Sequence, residues 1–370
     1  MELLGITHTG MEDITAIELE EYGFSDVKLL DSCVKATFTD RVTLCRAAYR
    51  CQSMRRVLEL LVSGDGPTIE TMREAVGSMD GEHLKGKRFA VRASIDGEHT
   101  FSRQDVERDV GGIIKDTFGC EVDLDNPDVP VFVFVTAKAY HIGIDYGGFD
   151  LSRRPFHLFT NPAGLRGSVA YGLVRLSGFD GSGVFVDPFC KAGDIAIEAA
   201  LLMHGKSPHH FQKERFAFQR FLEDDWEARF SGWDAGIECK GLVYGYDDQF
   251  RHVKSAKSNA KVAGVKEGVV FSKVTPDWLD TKHGEGEVGH MATMPPQVSR
   301  HHSKKEVSSL YAELFYALDY VMARDGDIVV VCSDPDVFSQ GAARYGFHHV
   351  EERVIFQGHA SLSVQRIQKT

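Results

Sequence analysis

Two acids at strand ends are the residues of this 370-residue sequence best placed to hold a ligand. Asp187 closes the apolar run Val184-Phe-Val-Asp187, and Pro-Phe-Cys-Lys-Ala-Gly193 joins it to a helix predicted from Asp194 to Ala200. A short loop between a buried strand and a helix leaves backbone N–H groups aimed at whatever sits there, which is how nucleotide-like cofactors are held. Asp247 follows the strand-like Gly241-Leu-Val-Tyr-Gly245 and precedes a helix predicted over Phe250 to Ala263, with Gly264 as its stop. A carboxylate there can accept hydrogen bonds from two ribose hydroxyls. It can equally cap the next helix, a task open to Asp248 as well. The pairs His209-His210 and His301-His302 lack a second ligand group at useful spacing, so no metal is expected and they are read as surface histidines. Seven cysteines, at 33, 45, 51, 120, 190, 239 and 332, include no C-x-x-C pair and are read as reduced thiols.

The elements that must position these residues fall into three blocks, predicted as domains over 1–61, 62–148 and 149–370. In the first, an acidic helix over Glu12 to Tyr22 carries Ile14, Ile17 and Leu19. Strands Val27 to Leu30 and Val34 to Phe38 and a helix over Thr43 to Tyr49 follow. In the second, Arg88 to Ser94 alternates as a half-buried strand, and Ser102-Arg-Gln-Asp105 forms a capping box opening a helix to about Phe118. Asn126-Pro-Asp128 marks a turn, with strands Val131 to Thr136 and Ala139 to Asp145 after it. The third block alternates strands with longer helices, the pattern of a doubly wound α/β sheet. Asn161-Pro162 reads as a helix start, and Leu165, Val169, Leu173 and Leu176 form one apolar stripe. Ser303 and Glu306 form a second capping box, Asp327 to Cys332 a strand, and Val350 to Gln357 with Ser361 to Ile367 an antiparallel hairpin.

Composition excludes several classes. With 43% hydrophobic and 26% charged residues the chain is an ordinary globular protein. Apolar runs such as Val129 to Ala137 fall short of a membrane span. The first fifteen residues carry Glu2, Glu12 and Asp13 and no base, unlike a secretory or transit signal, so a cytoplasmic location is expected. The net charge of −12 is uneven: residues 1–150 hold 27 acids and 16 bases, and residues 151–370 hold 27 and 26. A local basic face is compatible with that distribution.

The segments Phe89-Ala-Val-Arg92, Phe101-Ser102, Asp105-Val-Glu107, Val122-Asp-Leu-Asp-Asn-Pro-Asp128 and Tyr140-His-Ile-Gly-Ile-Asp145 resemble the THUMP domain, an RNA-binding module of tRNA-modifying enzymes. His8-Thr-Gly-Met-Glu-Asp13 resembles the start of the ferredoxin-like domain that precedes it. Val186-Asp-Pro-Phe-Cys190 is similar to the first half of the D-P-F-C-G-S-G-T loop of THUMP-containing RNA guanine-N2-methyltransferases, above all the archaeal enzymes acting on an acceptor-stem guanosine. Gly245-Tyr-Asp247, Arg215-Phe-Ala-Phe218 with Trp226, Ser303-Lys-Lys305 and Leu310-Tyr311 match further family segments. The resemblance implies a ferredoxin-like plus THUMP α+β module followed by a Rossmann-like class I methyltransferase domain with a final antiparallel hairpin. It implies S-adenosylmethionine as cofactor, held by Asp187, Phe189, Cys190, Gly193 and Asp247, and tRNA as partner. Arg153, Arg154 and Arg166, with Arg175, would hold tRNA phosphates, or else form ion pairs or a solvated helix face. No membrane or metal is implied.

The departures fall at the chemistry. Lys191, Ala192 and Asp194 stand where the family has Gly, Ser and Thr, which is expected to weaken cofactor binding. The family's catalytic N/D-P-P-Y loop, whose side-chain oxygen and proline carbonyl accept from the target amine while the aromatic ring stacks on the flipped base, is matched in position by Met294-Pro295-Pro296-Gln297. Methionine is a weak acceptor and glutamine has no ring. Gln297 could replace the acceptor, and His301 and His302 could contact RNA. Two functions therefore follow from the sequence: transfer of methyl to the N2 amine of a tRNA guanosine, or tRNA binding by a fold that has lost catalysis. DNA adenine methylation fits the Pro-Pro loop but not THUMP, and thiolation lacks its S-G-G-x-D-S loop.

Overall fold

The computed structural model describes residues 1–159, 164–235, 240–300, 302–358 and 360–369. They form two compact units: Met1–Thr7, Thr15–Leu151 and Gln212–Trp233 make the first, and His8–Ile14, Ser152–Phe211 and Asp234–Thr370 the second. Among the described residues no helix is long and apolar enough to cross a membrane.

The first unit is built on an eight-stranded mixed sheet. Its strands are β1 (Glu2–Ile6), β2 (Ser25–Leu30), β3 (Cys33–Thr37), β4 (Arg56–Asp65), β5 (Arg88–Ile95), β6 (Glu121–Val122), β7 (Val129–Val135) and β8 (Ala139–Asp145). They lie in the order β2-β3-β1-β4-β8-β7-β5-β6. Helices α1 (Glu12–Glu21), α2 (Arg41–Arg50), α3 (Ile69–Ser78) and α4 (Arg103–Phe118) interleave with them. Strands β1 and β4 escape a reading by periodicity. Leu3, Leu4, Gly5 and Ile6 are all buried, so β1 shows no polar alternation. In α1, Ile17 faces outward at 44% exposure, while Ile14 and Leu19 are buried as expected. The Ser102 box forms: the Asp105 N–H donates to Ser102 Oγ at 3.3 Å, and Asp105 Oδ2 accepts from the Ser102 N–H at 2.9 Å.

The second unit holds a seven-stranded sheet. Its strands are β9 (Ser182–Asp187), β10 (Lys240–Asp247), β11 (Val269–Lys273), β12 (Val288–Thr293), β13 (Met322–Val331), β14 (Phe347–Gln357) and β15 (Ala360–Lys369), in the order β11-β10-β9-β12-β13-β15-β14. The first five in that order are mutually parallel, and β15 runs antiparallel to both its neighbours. Helices α5 (Gly167–Leu176), α6 (Asp194–Met203), α9 (Phe250–Ala263), α10 (Lys304–Val321) and α11 (Pro335–Ala343) belong to this unit, whereas α7 (Phe218–Phe221) and α8 (Trp226–Trp233) pack in the first. Helix α5 starts at Gly167, later than the sequence suggested; Asn161 and Pro162 lie outside the described residues. Strand β12 includes Gly289 and His290 and is held by parallel pairing with β13 and β9, with His290 Nδ1 meeting the Ser177 carbonyl oxygen at 2.6 Å. Chain order reverses between β9 and β12. A crevice at the carboxyl ends of such strands is where doubly wound sheets bind ligands.

Candidate active site

Asp187 ends β9 and Thr293 ends β12, the neighbouring strand. The Thr293 hydroxyl donates to Asp187 Oδ1 at 2.6 Å, and the Phe189 N–H donates to the same oxygen at 3.2 Å. Asp187 is buried, and burial pushes its carboxyl up to about 7, against the pull of those two donors and of Lys191. The loop that follows turns sharply: the Gly193 N–H donates to the Cys190 carbonyl at 2.6 Å, with Lys191 at φ +48° and Gly193 at +91°. A lysine therefore occupies a backbone position suited to glycine. Gly193 has its own reason, since a Cβ there would come within 3.1–3.2 Å of Ala256, Phe271 and Ile197. Cys190 is buried and its thiol is held well above the ordinary range by burial.

Asp247 ends β10 and both of its oxygens are engaged. Oδ2 accepts from the Lys191 N–H at 3.0 Å, and Oδ1 accepts from the Gln249 N–H at 2.9 Å and meets His252 Nδ1 at 2.8 Å. It thereby pins the β9–α6 loop and the entrance to α9 together. Asp248 does not cap α9, whose N-cap is Gln249. Asp194 opens α6, accepts from the Leu165 N–H at 3.3 Å, and has its carboxyl raised by burial to about 6. Lys191 stands among the charges of Asp187, Asp194 and Asp247. Burial lowers its pKa, and the three acids oppose that shift.

Met294, Pro295, Pro296 and Gln297 follow directly from β12, so the Asp187–Thr293 hydrogen bond draws this loop and the β9–α6 loop to one cleft. Gln297 folds back on the turn: its Nε2 donates to the Pro295 carbonyl at 2.7 Å and to the Val331 carbonyl at 3.0 Å. Asp187, Phe189, Cys190, Lys191, Asp194 and Met294 all line the cleft.

The arginines divide. Arg154 and Glu198 form a bidentate pair at 2.7 and 3.1 Å, with both side chains fully buried, so Arg154 is sealed from any phosphate. Arg166 is half-buried and Arg153 exposed, while Arg175 donates to the Tyr171 hydroxyl at 2.8 Å. His209 is buried rather than superficial, and His210 pairs with Asp234 at 3.2 Å. His302 is exposed; His301 and Cys239 lie outside the described residues. Two site residues went unread in the sequence. Thr293 is one. Asn259 is the other: its Nδ2 donates to the carbonyls of Phe159 and Ala192 at 3.0 Å each. Its signal was a poor helix former in the middle of a predicted helix, where a fully buried amide needs partners.

The backbone of this cleft suits a nucleoside cofactor. The left-handed turn and the strand-end acids are in place. The hollow lined by Asp187, Lys191, Asp194 and Met294 encloses about 20 Å³, room for a water.

Comparison with known proteins places these features. Residues 154–364 match the RMKL-like methyltransferase domain and residues 67–145 match the THUMP domain. The chain is 26% identical over 357 residues to a tRNA (guanine(6)-N2)-methyltransferase of Archaeoglobus fulgidus, covering 94% of this chain and 87% of the relative. A protein of the same name from Methanocaldococcus jannaschii is 28% identical over 364 residues, with 94% and 95% coverage. Among solved structures, a possible methylase from Clostridium difficile 630 superposes with a TM-score of 0.82 at 22% identity, covering 100% of this chain and 98% of the other, which shows a shared fold.

Proposed function

The chain belongs to the RMKL-like methyltransferase family, and from that premise we propose that it is a tRNA-binding methyltransferase whose target is the exocyclic N2 amine of a guanosine. Residues 1–61 and 62–148 would supply RNA recognition and residues 149–370 the transfer chemistry. The observation that carries the reading is the 2.6 Å Asp187–Thr293 hydrogen bond, which joins the loop positioned for a donor to the loop positioned for an acceptor base. The names of the two archaeal relatives and the THUMP match support the substrate class. An exocyclic amine is a weak nucleophile, so what such a loop supplies is oriented acceptor oxygen. Pro295 offers that oxygen once Gln297 swings away from it. S-adenosylmethionine would be the methyl source of the family reaction.

A second reading is favoured by one observation. The Gln297 amide nitrogen already occupies the Pro295 carbonyl, standing where a substrate amine would donate. A protein that binds tRNA without transferring methyl would look like this. Calorimetric titration with S-adenosylmethionine, alone and with tRNA, joined to incorporation of labelled methyl and nucleoside analysis, separates the two. Donor binding and N2-methylguanosine in the digest are expected. Retained tRNA binding with neither donor binding nor incorporation would overturn the transfer reading in favour of the second.

A further inference from the structure

Val331, the last residue of β13, is buried, so its carbonyl needs a donor that water does not supply. The residue after it shows which way that carbonyl points. The Cys332 N–H donates to the Ser363 carbonyl at 2.9 Å, on the β15 side, and across a trans peptide the Val331 C=O points the opposite way, toward β12. Strand β12 pairs Thr293 with Val330 in parallel register and ends there. One step further along that ladder, the N–H due to reach the Val331 oxygen belongs to residue 295, and residue 295 is a proline, which has none. Gln297 supplies the missing donor. Its Nε2 lies 2.7 Å from the Pro295 carbonyl oxygen and 3.0 Å from that of Val331. A planar NH2 group has two N–H bonds, one for each of these carbonyls.

We propose that the Pro295 and Val331 carbonyls together form a receptor for a planar exocyclic amine, and that the Gln297 amide is its resident stand-in. The amine of a nucleobase is trigonal and carries the same two donors as a carboxamide nitrogen, so it can replace Gln297 bond for bond. Val331 thereby provides the second acceptor that the Met294 thioether does not. A base without the amine gains nothing by displacing Gln297, because both carbonyls would then lose their donor in a buried place. The inference rests on the methyl-transfer reading above and deepens it: it names Val331 as an acceptor for the target amine and Gln297 as the group that must be exchanged for it.

The test uses two RNA minihelices that are identical except that inosine, which lacks the exocyclic amine, replaces every stem guanosine in one of them. In isotope-labelled wild-type protein the Gln297 side-chain amide signal, identified by its loss in Gln297→Met, is expected to shift when the guanosine minihelix is added and to stay in place with the inosine one. Gln297→Met keeps the length of the side chain and leaves both carbonyls uncovered. It is expected to raise the guanosine-to-inosine affinity ratio about tenfold over the wild type, since two hydrogen bonds are then gained with none broken. Gln297→Leu, equally unable to donate, should act in the same direction and identifies the signal if the methionine variant does not fold. A ratio unchanged in the variants, or an amide signal that moves equally with both minihelices or with neither, would overturn the receptor and leave the transfer reading to the incorporation assay. Wild-type protein that binds neither minihelix nor tRNA would overturn both.

Discussion

Lys191 holds a left-handed backbone at φ +48°, where a Cβ crowds its own carbonyl. Lys191→Gly and Lys191→Ala both remove the ammonium from among Asp187, Asp194 and Asp247, so the difference between them isolates that crowding. The glycine variant is expected to be about 1 kcal/mol more stable than the alanine variant in urea unfolding. Asp187 makes a pH prediction. Its folded carboxyl titrates at about 7, above an unfolded value near 3.8, so the folded state binds the proton more tightly and this group's ionisation weakens the fold as pH rises between those values. Asp187→Asn, which keeps an acceptor for Thr293, removes that penalty. The variant's melting temperature minus that of the wild type should grow from pH 5 to pH 8, and a difference independent of pH would show that burial does not govern this carboxyl. Both effects were half-legible in the sequence. A lysine in a glycine's place is visible there, whereas the strand-to-strand hydrogen bond to Thr293 links residues 106 positions apart.

At the scale of elements, α6 is anchored to the segment preceding α5 by Arg154 and Glu198, each fully buried. Removing one partner strands the other charge out of water, so Arg154→Met is expected to cost about 3–5 kcal/mol in urea unfolding. Arg154→Met/Glu198→Met should recover most of that loss, and a double variant as unstable as the single would show that packing rather than charge is at stake. Helix ends were the most legible part of this level. Ser102 with Asp105 and Ser303 with Glu306 cap α4 and α10 as the spacing predicts, because a capping box is closed by residues three apart and needs nothing from the rest of the fold. The arginine at 154 was not legible in the same way. Its type suggested a phosphate, and only the placement of α6 put a carboxylate against it.

At the scale of the whole molecule, the segment Gln212–Trp233 leaves the chain between α6 and β10 and folds in the first unit, where Phe216, Phe218 and Phe230 join the core around Tyr49. The Tyr49 ring lies 4.8 Å from Phe230 and 5.6 Å from Phe216. Phe216→Ala is expected to cost about 3–5 kcal/mol. Hydrogen exchange should quicken in β1, β3 and β4, and exchange that quickens in β9 and β12 instead would contradict the assignment. The Arg215-Phe-Ala-Phe218 motif was visible as a string, but nothing local to it said which core it would enter. The sequence by itself determined the alternation of strands and helices, the two strand-end acids, the capped helices and the reversed final hairpin, since these rest on periodicities and short-range hydrogen bonds. Tertiary structure alone decided that Asp247 is spent on Lys191, Gln249 and His252, and that Gln297 covers the Pro295 carbonyl. Each of these depends on which groups compete for a partner in three dimensions, and that competition is settled by packing between segments the chain keeps far apart.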